Sequence, residues 1–165
     1  MGRHLTLPRL MRGKASPART VQTRVVIDRS RIRSVANMIT LATPLGLLVA
    51  RATNCQLAQG PRGLYFATGY APAFPRAAAF TLGNVVILRD DRLLRRPHLL
   101  AHEERHSTQW ACCLGLVGFP LLYGLACTWS IARTGDHFSR NTFERRAGLL
   151  AGGYREHPVR SMPKR

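Results

Sequence analysis

The sequence predicts an α+β fold, mostly helical with a small β-sheet, on three observations. Helix-length apolar segments, several marked by proline near their start and glycine near their end, recur along the chain. Only two short runs read as strands, and one of them carries β-branched enrichment. At 165 residues the chain suits one domain with a real core and is too short for two sizeable ones. With 45% hydrophobic and 20% charged residues it belongs among chains that fold, and 14 glycines and 10 prolines are too few for a fibrous repeat.

The elements follow in order. Residues 1–34 hold nine basic side chains (Arg3, Arg9, Arg12, Lys14, Arg19, Arg24, Arg29, Arg31 and Arg33) against one acid, Asp28. Pro8 and Pro17 oppose a continuous amphipathic helix there, and Met1 to Arg24 lacks the apolar run of a secretory signal. The expectation for 1–34 is a basic, disordered arm. The domain proper is expected over 35–154, followed by a basic flexible tail, 155–165. Within the domain, Val35 to Ala50 is uncharged, and Pro44 sits where a buried helix running to Ala52 would start. Gly60 to Pro75 is punctuated by glycine and proline, with Gly63–Thr68 a short strand. Ala79–Leu88 reads as a strand interrupted at Gly83-Asn84 by a bulge or turn and ended by Asp90 and Asp91.

Pro97 opens a helix whose stripe at a period of 3.6 is Leu99, His102, His106, Gln109 or Trp110, and Cys113. Residues 111–132 are uncharged and long enough to span a bilayer, but Gly115, Gly118 and Pro120 interrupt them. Two core helices at an angle are the simpler expectation, and a membrane-embedded segment is the alternative. Residues 133–140 form a polar loop, Asn141 can cap a last helix through Leu150, and Gly152-Gly153 ends it.

A formal net charge of +17 calls for a negatively charged neighbour, an anionic membrane or polyanion met through the arm. The arm's arginines are not interleaved with aromatics and no reading motif is present, which argues against specific nucleic-acid recognition. Cys55, Cys112, Cys113 and Cys127 have no C-x-x-C spacing and make a poor disulfide framework. A reducing, cytoplasmic setting, with or without membrane association, fits them best.

Residues 102–106 read His-Glu-Glu-Arg-His, an H-E-x-x-H sequence inside a segment that is helical for independent reasons. Residues four apart share a helix face, so His102 and His106 can bring two imidazole nitrogens onto one zinc ion. Glu103 is rotated to the edge of that site, where it can deprotonate a water on the metal. Chance would give on the order of 0.005 such matches in this composition. The bland alternative is a pair of core histidines bonded to backbone carbonyls, but each would need its own polar partners, and one metal supplies both. For a third ligand, Glu144 is favoured because it lies on the only later helix, with His137 and Asp136 as alternatives. Glu104 and Arg105 read as solvent-facing charges. Arg133, Arg140, Arg145 and Arg146 read as a basic solvated face, and Cys113 as a small apolar residue.

A strand with Thr81-Leu-Gly-Asn-Val-Val-Ile87, a short loop, and Leu99-Leu-Ala-His-Glu-Glu-Arg-His-Ser-Thr-Gln109 together resemble the zinc-metallopeptidase domains related to the extracellular contractile injection system core domain. Thr43–Ala50 and Asn141–Gly148 are similar to segments of small uncharacterised actinobacterial proteins. The resemblance covers about 35–154. It implies a minimal gluzincin-like domain, with a small sheet whose edge strand lies beside the active-site helix. His102, His106 and Glu144 would then be metal ligands and Glu103 the general base, with Gln109 at a family position of unclear role. The expected activity is zinc-dependent hydrolysis of a peptide or protein substrate, and the strand around Asn84–Leu88 could pair with that substrate. The competing expectations are a non-catalytic domain stabilised by metal and a membrane-associated domain whose arm binds anionic surfaces.

Overall fold

The computed structural model describes residues 28–160, and the expectation for 1–27, like that for 161–165, lies outside them. The elements are α1 (Arg29–Ile39), α2 (Ala42–Ala52), β1 (Gln56–Gln59), β2 (Tyr65–Thr68), β3 (Ala79–Leu82), β4 (Val85–Leu88), α3 (Pro97–Cys112), α4 (Gly115–Thr134) and α5 (Thr142–Ala147). The fold is α+β, with a four-stranded mixed sheet in the order β1-β2-β4-β3. β4 runs parallel to β2 and antiparallel to β3. Its four residues Val-Val-Ile-Leu are all fully buried, as a central strand covered on both faces requires. Val85 and Ile87 pack with Ala50 of α2 and Tyr70, while Val86 and Leu88 pack with Leu99 of α3. The sheet is thus held between α2 and α3.

Gly83-Asn84 is a two-residue hairpin turn with glycine first, at φ 59°. A Cβ there would also strike Thr43 of α2, so the turn needs glycine both for its backbone and for its neighbour. The open edge beside α3 is β3, which corrects the expectation of substrate pairing along Asn84–Leu88: β4 is interior, its backbone already used on both sides. β1, unforeseen, is an exposed outer strand of polar composition.

Asn84 also anchors a buried polar network. Asn37 of α1 donates Nδ2–H to Asn84 Oδ1 (2.8 Å) and to the Ser107 carbonyl (2.9 Å). Ser107 Oγ donates to the same Asn84 oxygen (2.8 Å), and Asn84 N–H donates to Thr43 Oγ1 (3.0 Å). Four segments, α1, α2, the hairpin turn and α3, meet there.

Several expectations change. The first helix begins at Arg29, capped by Asp28 accepting from Ser30 N–H, so residues 29–34 belong to the folded domain and not to an arm. Its inward residues are Arg33 and Asn37, while Ile32, Val35, Met38 and Ile39 face outward. Arg33 pairs with Glu104 (2.9 Å), and Arg62 pairs with the same carboxylate, so Glu104 is a half-buried structural acid rather than a solvent-facing one. Arg105, exposed, donates to the Ala147 carbonyl at 2.6 Å.

The joint between the two late helices falls at Cys113-Leu114, not at Gly118–Pro120, and α4 continues through Pro120. Only Gly115, Phe119 and Ser130 of α4 are buried, so it is not a core helix. It is long and apolar enough to cross a membrane by length and composition. α5 stops at Ala147, not Leu150, because Gly148 takes the left-handed conformation at φ 96°. Residues 155–160, expected to be loose, are tied back: Arg160 N–H donates to the Arg133 carbonyl (2.8 Å), His157 N–H to Ser139 Oγ (2.7 Å), and Glu156 pairs with Arg140 and Arg145.

Two outcomes follow for stability. Asn84→Ala leaves the Asn37 amide and the Ser107 hydroxyl without their shared acceptor and lowers the free energy of unfolding by about 2–3 kcal/mol, measurable by urea denaturation. Hydrogen bonds from Arg62 hold the Glu104 carboxyl at about 2 against the burial that opposes its charge, with Arg33 adding to the effect. Because the folded value is the lower one, the stability this group adds is present above its ordinary value of 4.5 and is lost as pH falls toward 2. Wild type and Glu104→Gln should therefore differ in melting temperature at pH 6 and converge as pH drops through that window.

Candidate metal centre

The site is built by one long helix and one short one. Pro97 fills the first turn of α3, where a missing N–H costs nothing, and the helix carries His102, Glu103 and His106 inward. Asn141 caps α5 by accepting from Phe143 N–H (2.9 Å), and its amide reaches Cys127 Sγ (3.2 Å), which fixes α5 against α4. Glu144 and Ala147, three apart on α5, then point into the protein, both essentially without exposure.

His102, His106 and Glu144 come together. His102 Nε2 lies 3.2 Å from Glu144 Oε2, His106 Nε2 lies 3.5 Å from Oε1, and the two Nε2 atoms are 2.9 Å apart. The outer ring nitrogens fix the tautomers. His102 Nδ1 faces the Gly148 carbonyl at 3.0 Å, an acceptor only, so Nδ1 carries the hydrogen. Gln109 donates Nε2–H to the Phe143 carbonyl (3.0 Å), which turns its oxygen to His106 Nδ1 at 2.8 Å. His106 Nδ1 is thereby also assigned the hydrogen. In the neutral rings both Nε2 lone pairs face each other across a gap shared with a carboxylate. Such an arrangement is repulsive unless a proton or a metal ion sits among the three.

Two further observations fit a metal ion. Glu144 Oε2, though buried, has no hydrogen-bond partner. A Cβ on Gly152 would come within 2.5 Å of His102 Cε1 and 2.7 Å of its Nε2, so the metal-facing edge of the ring is open only because residue 152 is glycine. The outer nitrogen of each ring is engaged by the surrounding protein, while the inner ones meet only each other and Glu144. A His-His-Glu cluster that could hold a metal ion is therefore present, its oxygen and nitrogen donors being those that suit zinc and several other divalent ions.

The two carboxylates of the site are driven apart. Burial works against the charge of Glu144, but the two imidazoles beside it and the Tyr123 hydroxyl, which donates to Oε1, hold the group well below the usual carboxylate range. Burial pushes Glu103 upward, against the pull of His106 and of Thr81, whose hydroxyl donates to Oε2 at 2.7 Å. The two environments thus push in opposite directions, Glu144 toward its charged form and Glu103 toward its neutral one.

Both line one cleft of about 860 Å³ with aromatic walls, Phe80, Phe119, Tyr123, Phe138 and Tyr154 among them. Trp110 anchors β3 to α3 by donating Nε1–H to the Thr81 carbonyl (2.9 Å). The alternative third ligands do not join the cluster. Asp136 accepts from Phe138 N–H and Ser139 N–H and organises its own loop, and His137 is an exposed residue at the cleft. Arg140 and Arg145 pair with Glu156 and Arg133 lies over Trp129, so the basic face has partners within the chain. The four cysteines are free.

Thr81, Tyr123 and Gly152 escaped sequence reasoning, since their roles arise from contacts between distant elements. Gln109 was visible as the helical neighbour of His106 at three residues, but its task was not. No family model, curated protein or solved structure matches the chain.

The protein purified without chelator should carry about one divalent ion per chain by elemental analysis, and His106→Ala and Glu144→Ala should lose it. Gln109→Leu, which frees His106 to rotate, should weaken metal affinity about 10–100-fold in a chelator competition. Gly152→Ala should do the same while circular dichroism remains that of the wild type.

Proposed function

We propose that this chain is a zinc-dependent hydrolase of the metallopeptidase type, with Glu103 as general base and His102, His106 and Glu144 holding the metal. The observation that carries the reading is the position of Glu103: a buried carboxylate fixed by Thr81, lining the same cleft as the His-His-Glu cluster, beside the open edge of β3. The resemblance of residues 81–109 to zinc-metallopeptidase domains supports it further.

A zinc ion held there would polarise a scissile carbonyl and acidify a water molecule. The chain's own residues supply the rest. Thr81 occupies Oε2 of Glu103, which leaves Oε1 to accept the proton of the attacking water and return it to the leaving amine. Burial raises the proton affinity of Glu103, which suits a group that must hold a proton between those steps. Tyr123 donates its hydroxyl hydrogen to Glu144 Oε1 and so favours the charged form of that ligand. An extended peptide laid along β3 would pass Ala79, Phe80 and Thr81, with apolar side chains received by the aromatic walls of the cleft.

Glu103→Gln should retain the metal and lose at least about a thousandfold in kcat on quenched fluorescent peptides bearing large apolar residues, the scale expected when a proton-transfer group is removed together with its aid to water activation. Unchanged cleavage in that variant would sink the mechanism. If no peptide is cut, and stripping the metal unfolds the chain while Glu103→Gln does nothing, the ion is a structural staple instead.

A further inference from the structure

α1 buries polar residues and presents apolar ones, while α4, apolar on most sides, presents a broad apolar face beyond the part that Phe119 packs into the core. α1 turns Arg33 and Asn37 inward and Ile32, Val35 and Ile39 outward. α4 turns Tyr123, Cys127 and Ser130 toward the protein, where Tyr123 bonds Glu144 and Ser130 Oγ accepts from Arg140 N–H. Its opposite side carries Val117 (80% exposed), Leu121 (64%), Leu125 (60%) and Trp129 (57%), at helical spacing. In water this is inverted; against hydrocarbon it is the expected arrangement.

The two helices adjoin at one corner, because a Cβ on Gly115 at the start of α4 would strike Thr40 at the end of α1. At that corner Leu41 and Leu114 both adopt positive φ, 61° and 60°, a strained state for a bulky residue, and both expose their side chains.

We infer that this surface seats the protein on an anionic lipid bilayer, with α4 lying in the plane of the interface. Charge complementarity selects the partner: the chain has a net charge of +17, and exposed Arg29 and Arg31 flank the stripe of α1. At the far end of α4, the Arg133 guanidinium lies 5.4 Å over the exposed Trp129 ring, an aromatic and a cation placed together as at a headgroup boundary. α4 is about 30 Å long, yet it does not cross the bilayer. Polar partners run along its inner side, from Glu144 through Asn141 to the Arg140 backbone, and a crossing would carry them and the charged helix α3 into hydrocarbon. The inference stands apart from the hydrolase reading, since it needs neither the metal nor Glu103.

The test is flotation of the full chain with vesicles of phosphatidylcholine alone or mixed with phosphatidylglycerol, read together with tryptophan fluorescence. Trp110 is buried, so any lipid-dependent change reports Trp129. The expected result is flotation with the anionic vesicles, a blue shift, and quenching by lipids brominated on the acyl chain. Leu121→Glu/Leu125→Glu, both at exposed positions, should bind those vesicles at least tenfold more weakly while keeping the wild-type circular dichroism. Flotation of the double variant equal to wild type, or binding without acyl-chain quenching, would overturn the inference in favour of adsorption by charge alone. A wild type that ignores vesicles but dimerises, with the double variant monomeric, would overturn it in favour of a second copy as the occupant.

Discussion

The rest of the structure depends on the hydrogen bonds converging on Asn84. A hairpin turn, two helices preceding the sheet and the helix following it all place polar groups in a region sealed from water, and the Asn84 amide joins them. Buried groups of this kind are costly when unpaired and directional when paired, so the network specifies position where apolar packing alone would allow sliding. Its consequence reaches the cleft. With the turn fixed to Ser107 of α3, Thr81 two residues before the turn falls opposite Glu103 one helical turn before Ser107. A constraint in the core thus aims the carboxylate that faces the metal cluster.

The cluster itself rests on a division between inner and outer ring nitrogens. Gly148 and Gln109 occupy the outer ones, so neither imidazole can turn its lone pair away from the other or from Glu144. Orientation by such partners reduces what an arriving ion must organise, and it explains why a helix of six residues, α5, suffices to supply both a donor and, just past its end, a carbonyl.

What could be read in the sequence follows the range of each signal. The site helix, the Asn141 cap and the strands around Gly83-Asn84 are written in neighbouring residues: a proline at a first turn, an asparagine before a helix, a β-branched run. The two histidines and Glu103 are legible for the same reason, and Glu144 because few acids follow them. α1 was hidden because the usual rule of apolar-in fails there; Arg33 is buried by an ion pair with Glu104, 71 residues away. α4 departs in the opposite way: its apolar residues suggest a core helix, but only Phe119 and its near neighbours join the core, and most of the rest are exposed. Thr81, Tyr123 and Gly152 act through contacts between elements, and no pattern of local spacing announces those.

The order of the donors along the chain has a meaning for biosynthesis. His102 and His106 emerge from the ribosome well before Glu144, and until α5 has followed α4 out and docked on α3 the two imidazoles form only a weak bidentate chelate. Tight capture of an ion at this cluster would therefore wait until nearly the whole domain had been made and folded. If an ion occupies the cluster, a nascent or truncated chain would hold it loosely, so that its retention would itself record completed folding.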